Sequence, residues 1–215
     1  SSKDKGTLGY MVSLSYRNDY TYYGDYYNGE FQRRAESDAF DLRYANIQEG
    51  QLAEENTILG ALAVLAYKRK LSKIRLTAMR LQNGENRAGQ FMIDNSGDAV
   101  GQSGYLGQRE NLEYNQRSLT NVLLNGTHKF KDSGWELDWK LSPTISTSND
   151  PDIRVAGLSI GGPLGYQVNS GEVGPPSRLW RYLDETSLVG KIDLTKSYQF
   201  RGEDAKFKLG ASQTN

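Results

Sequence analysis

Few side chains in this chain are equipped for chemistry, and their spacing limits what they can do. His128 is the single histidine, and there is no cysteine. A Ser-His-Asp triad would have to use His128, while thiolate and multi-histidine metal sites are excluded. His128 has no nucleophile beside it in sequence, so a boundary position near a turn is expected for it. The segment NDPD, Asn149 to Asp152, carries oxygens that Ca²⁺ could take. It has no spaced ligand ladder, and Asn, Asp and Pro are turn residues, so a turn is expected there. GQSGYLG (101–107) and GLSIGGPLG (157–165) are glycine-rich. Neither matches a phosphate loop or a dinucleotide fingerprint, and no Lys-Ser or Lys-Thr follows, so both read as loop segments. The sequon at Asn125 falls inside a predicted strand and reads as incidental. No catalytic residue, metal or cofactor is expected, and the chain is not read as an enzyme.

Binding chemistry is the other possibility. Tyr22, Tyr23, Tyr26 and Tyr27 sit close together, with Arg33 and Arg34 after them. Arg178, Trp180, Arg181 and Tyr182 form a second group of rings and cations. Aromatic faces beside basic groups can hold a flat or anionic ligand. Both groups are expected in long loops, where recognition residues concentrate.

The elements that must carry these residues show a period of two. In WELDWKLSPTI, the residues Trp135, Leu137, Trp139 and Leu141 form one set. Glu136, Asp138 and Lys140 form the other. Successive strand side chains point to opposite faces, so one face is oily and the other charged. The pattern recurs in TLGYMVSLSYR, KIRLTAMRL, SLTNVLLNGTHKF, SLVGKIDLTKSY, where Lys191 and Asp193 oppose Ile192 and Leu194, and AKFKLGA, where Lys206 and Lys208 oppose Phe207 and Leu209. EENTILGALAVLAYK is apolar on both parities. Its Ala and Leu favour helix. Gly60, Ile58 and Val64, with KRKLSK leading into a clear strand, favour a strand.

Short connections are expected after Tyr67, Phe130 and Phe200. Long ones are expected over about Asn18–Glu55, Asn83–Asn115 and Thr147–Asp184. Long and short alternate, as they do in an up-and-down membrane barrel. Aromatic residues gather near the strand ends, as in a membrane–water girdle. The expected fold is therefore all-β, an antiparallel up-and-down transmembrane barrel segment of about seven strands. Trp135, Leu137, Trp139 and Leu141 would face lipid. Glu136, Asp138, Lys140, Lys191 and Asp193 would face a lumen.

Bulk composition fits this class. Lys plus Arg and Asp plus Glu are 26 each, which argues against a nucleic-acid partner. Tyr is 14 and Gly is 23, which suits strands and turns better than a helical bundle. No apolar run reaches the ~18 residues of a membrane helix. The start SSKDKG has no apolar signal-peptide core. A mean hydropathy of −0.68 is compatible with a barrel, whose lumen and loops are polar.

The blocks GYMVSLSYR, GALAVLAYK with KIRLTAMRLQNGE, RSLTNVLLNGTHKF, LDWKLSPTIS with DPDIR, and KLGAS follow one another across nearly the whole chain. In that order they resemble the barrel of TonB-dependent outer-membrane receptors, in particular the Bacteroidetes type that carries a carboxypeptidase-regulatory-like domain. The resemblance implies a roughly 22-stranded barrel around a plug. It implies energised uptake of a scarce solute across the outer membrane of a Gram-negative bacterium. The partners implied are outer-membrane lipid, the protein's own plug, TonB and a transported ligand, with a surface lipoprotein as a further candidate. Residues 1–215 would be one part of the barrel domain, since no plug-like or TonB-contact segment is visible. The alternative from another class is a soluble or surface-exposed β-sandwich that binds a carbohydrate or acts as an adhesin. It requires oily strand faces that meet each other.

Overall fold

The period-two segments pair in sequence order into one sheet. The computed structural model describes residues 5–33, 41–95, 106–160, 165–168 and 175–215. Arg34 and the glycine-rich residues 101–105 and 161–164 lie outside the described residues. The strands are β1 (Thr7–Gln32), β2 (Arg43–Arg69), β3 (Ser72–Asn95), β4 (Leu106–Phe130), β5 (Trp135–Ile160), β6 (Tyr166–Val168), β7 (Ser177–Phe200) and β8 (Glu203–Thr214). Neighbours in the order β1-β2-β3-β4-β5-β7-β8 pair antiparallel, and the short β6 pairs with the end of β5. The fold is an all-β, up-and-down sheet that does not close on itself.

The three short connections fall where the sequence places them. Lys70 and Leu71 link β2 to β3, residues 131–134 link β4 to β5, and Arg201 and Gly202 link β7 to β8. Arg201 has φ 52° and Gly202 φ 87°. Positive φ at both positions of a two-residue loop matches the twist of the flanking strands. The ambiguous EENTILGALAVLAYK is strand, part of β2.

The long connections differ from expectation. Most of Asn18–Glu55, Asn83–Asn115 and Thr147–Asp184 is strand, and the intact ladders run 24 to 27 residues. At ~3.3 Å per residue such strands reach about 80 Å, far beyond the span of a bilayer. Tyr22, Tyr23, Tyr26 and Tyr27 therefore lie on β1, and Arg178, Trp180 and Arg181 on β7, not in loops.

NDPD is not a turn either. It is a bulge inside β5, where one extra residue is accommodated between Asp150 and Ile153 against β7 and β4 alike. Pro151 has no N–H to give a ladder, which is tolerated at a bulge. Turn and bulge draw on the same residue chemistry, so the composition did not separate them.

The sheet has almost no core. Phe91 and Ile93 are the buried hydrophobic residues among those described. The accessible surface is 15206 Å², against about 10,000 Å² for a compact protein of this mass. Oily faces do not meet each other within the described residues, because they form one layer.

Candidate functional site

Register assigns every side chain to a face. On one face, Tyr10, Leu65, Leu76, Leu124 and Leu141 form one continuous row across five strands. The next row is Val12, Ala63, Ala78 and Val122. Trp135, Leu137, Trp139 and Leu141 stand on this same face, and Ile192 and Leu194 of β7 lie opposite Trp139 and Leu137. Together they make an apolar belt at the end of the short turns. On β1 it runs from Leu8 to Tyr16 and on β2 from Leu59 to Tyr67, nine residues each, as a tilted membrane strand requires.

Exposure along β2 and β5 points to a curve with the belt on its outside. From Leu59 to Tyr67 the belt residues are exposed, while Gly60, Leu62, Val64 and Ala66 between them are half-buried. The same alternation holds for Leu141, Pro143 and Ile145 against Ser142, Thr144 and Ser146. An apolar convex face is the inverse of a soluble protein's arrangement. The strands are also staggered. Ser72 at the foot of β3 pairs with His128, leaving Lys129 and Phe130 beyond it. Trp135 at the foot of β5 pairs with Lys196, leaving Ser197 to Phe200 beyond. Successive offsets in one direction are compatible with the shear of tilted barrel strands.

Within the belt, Trp139 lies over Gly126 of β4 and donates from Nε1 to Nε2 of His128 at 3.1 Å. A side chain at Gly126 would occupy the space of the indole. His128 thus accepts a hydrogen bond from a belt tryptophan.

The concave face collects the charges. Asp138 faces Asp193 and Lys140 faces Lys191 across β5 and β7. Like charges directly opposite repel, and the alternation along each strand places unlike charges on the diagonals. Lys191 Nζ lies 3.0 Å from Asp193, and Lys208 of β8 lies 3.7 Å from the same carboxylate. Thr127 donates to Asp138 at 2.6 Å, and Glu136 pairs with Lys129 at 3.3 Å. The five residues expected on a lumen wall are therefore one cluster, opposite in facing to the four expected in lipid.

Neither aromatic–basic group lies wholly on one face of the sheet. A bulge between Tyr23 and Tyr26 reverses parity, so Tyr22 and Tyr27 share the convex face while Tyr23 and Tyr26 share the concave one. Tyr26 packs on Phe91 with ring centroids 5.0 Å apart. In the second group, alternation along β7 puts Arg178, Trp180 and Tyr182 on the convex face and Arg181 on the concave one. The β5 bulge turns Asp150 and Asp152, two residues apart, to opposite faces. Asp150 is buried and accepts from Arg181 Nε at 2.6 Å and from Asn115. Asp152 accepts from Arg178 Nη2 and from Arg154 Nε, each at 2.6 Å. Arg178 also covers the Trp180 ring at 5.2 Å.

Arg178 first, and Arg154 after it, hold the Asp152 carboxyl well below the usual carboxylate range. A lowered folded-state pKa gives stability that is present above the unfolded value and lost as pH falls through the folded one. The Asp152 clamp is therefore expected to survive acidification to pH ~4, around the unfolded value. The carboxyl ¹³C shift of Asp152 should be unchanged between neutral pH and pH ~4; a full titration step there would contradict the clamp.

Beyond the belt, the convex face carries a hollow of about 600 Å³. Its residues come from β1 to β5, and Tyr22 and Asp152 belong to groups singled out in the sequence. Glu55, Asn86, Leu112, Tyr114 and Arg154 were missed. Glu55 and Asn86 follow from the two-residue turn at Lys70 and Leu71, which sets them opposite each other and Ala53 opposite Ala88. The β3–β4 register sets Tyr114 opposite Asn86 and Leu112 opposite Ala88, and only Arg154 depends on the β5 bulge.

A scan against models of known protein families finds no match to this chain, and a search of curated proteins finds no relative.

Proposed function

We propose that this chain is a wall segment of a transmembrane β-barrel in the outer membrane of a Gram-negative bacterium, within a TonB-dependent receptor that takes up a scarce solute. The observation that carries the membrane reading is the apolar belt on the convex face, nine residues deep on β1 and β2 and interrupted on β3 by Arg80, which donates to Thr120 at 3.1 Å. Lipid would cover the belt. The long sheet beyond it would rise from the outer leaflet toward the longer connections.

The concave face would line the lumen. Its self-neutralised cluster around Asp138, Lys140, Lys191 and Asp193 keeps water at the wall and offers hydrogen bonds to a plug. Seven strands are too few to surround a plug, since barrel width grows with strand number. The open edges of β1 and β8 would be paired by further strands of a longer protein, because lipid does not tolerate unpaired edges. Energised uptake, the plug and the contact with TonB rest on the resemblance of the blocks from GYMVSLSYR to KLGAS. No residue here is assigned a chemical step; the wall positions and hydrates, and the plug moves.

The test is the intact mass of the polypeptide extracted from cell envelopes, with its detergent requirement. A detergent-requiring chain several-fold longer than this one is expected. A 24.1 kDa species soluble without detergent would overturn the reading and favour a soluble binding module.

A further inference from the structure

The hollow beyond the belt is built from two adjacent register rows. One row runs Tyr20, Glu55, Asn86, Tyr114. The next runs Tyr22, Ala53, Ala88, Leu112, Arg154. Small and planar residues occupy the middle of each row and large ones the ends. The result is a trough with a floor of Ala53, Ala88, Glu55 and Asn86. Tyrosines wall it on β1, and Tyr114 with Leu112 wall it on β4. The rings are open to solvent, Tyr20 at 74% and Tyr22 at 64%.

The electrostatics narrow the ligand. Glu55 accepts from Asn86 at 3.4 Å and from Asn18 at 3.4 Å, and Asn18 also donates to the Tyr20 hydroxyl at 2.9 Å. Arg154 is spent on Asp152 at 2.6 Å. Tyr22 donates to Gln51 at 2.9 Å, extending the trough with another planar amide. Hydrogen bonding from Tyr20 first, and from Asn86 and Asn18, keeps Glu55 below the usual carboxylate range, hence ionised at neutral pH. Arg154 and Arg178 are held by Asp152, and the ionised Glu55 has only neutral donors, so the trough has no net attraction for an anion. What remains is a set of ring faces and planar hydrogen-bonding groups in a hollow of ligand size. Flat C–H faces with hydroxyls at their edges fit that set, and these are the features of a pyranose.

We infer that this trough is a saccharide-binding site on the convex face of the sheet. It lies within about 14 Å along β1 of the belt edge at Tyr16. On the outer-membrane reading, the sugars of a surface glycolipid would be presented at that height; a free oligosaccharide would use the same chemistry. The site rests on geometry, and only the glycolipid source rests on the membrane reading.

The test uses the full-length protein purified from membranes, titrated with two probes followed by native mass spectrometry. The probes are lipid-free core oligosaccharide from lipopolysaccharide, and maltoheptaose. Binding of either is expected, weakened about tenfold or more in a Tyr20→Ala/Tyr114→Ala variant. Core-oligosaccharide binding that the variant weakens identifies the glycolipid as source. Maltoheptaose binding alone, weakened likewise, identifies a free glycan. No binding of either probe, or binding that the variant leaves unchanged, overturns the site. Should the double variant fail to fold, Glu55→Gln decides: it must weaken binding several-fold while heat-modifiable gel mobility stays normal. Because binding is read in detergent, it can succeed or fail independently of uptake and of membrane location.

Discussion

Replacing Leu141 by arginine is expected to cost about 2–4 kcal/mol of barrel stability, the price of a cation at the lipid-facing mid-depth of a barrel strand. Leu141 sits near the middle of the β5 belt, between Trp135 and Ile145, and is 44% exposed. Its row-mates Leu124, Leu76 and Leu65 leave no polar partner beside it. The neighbouring Ser142 points the other way and accepts a hydrogen bond from Asn121 at 2.9 Å. Ser142→Arg loses that bond, about 1 kcal/mol, and gains a wet environment on the concave side. Denaturant unfolding in vesicles, with gel mobility as the folded-state marker, should separate the two variants clearly. If the belt faced water, the order would reverse. Leu141→Arg would then change stability by no more than about 0.5 kcal/mol, as surface substitutions do.

The second large effect is at the β5 bulge. Asp150 is 5% exposed and ties three strands together through Arg181 of β7 and Asn115 of β4. Asp150→Ala is expected to destabilise this region by about 1–3 kcal/mol, because donors on two strands lose their acceptor. The lower part of that range is favoured by the exposure of Arg181, whose guanidinium can turn to water. The damage should be local. Amides from Ser177 to Leu183 should lose hydrogen-exchange protection, while those from Leu188 to Leu194, held in the belt, should keep it. Uniform protection along β7 in the variant would show that the bulge contact does not hold the upper sheet.

The belt was legible in the sequence because apolar and polar residues alternate there. Trp135, Leu137, Trp139 and Leu141 declare one face, and Glu136, Asp138 and Lys140 the other. The short turns were legible because each lies between two such runs. The upper halves of the strands were not. In Asp19 to Gln32 both faces are aromatic or polar, so hydropathy has no period to show even though β1 continues. Long sheet therefore reads as long loop. The bulges were the second obstacle. One between Tyr23 and Tyr26 splits four tyrosines that adjacency had grouped. One at Asp150 to Asp152 sends two carboxylates to opposite faces and gives each an arginine. The trough was hidden because its members meet through register across five strands and not through proximity in the chain.

The convex face is proposed to lie in lipid. The most direct measurement is a nitroxide scan of positions 137 to 145 on β5, in the full-length protein in bilayers, for collision with oxygen and with a water-soluble nickel complex. Oxygen accessibility should peak at Leu137, Trp139, Leu141, Pro143 and Ile145. Nickel accessibility should peak at Asp138, Lys140, Ser142 and Thr144, out of phase over the whole stretch. Nickel collision as high at Leu141 as at Lys140 would place the oily face in water and contradict the account.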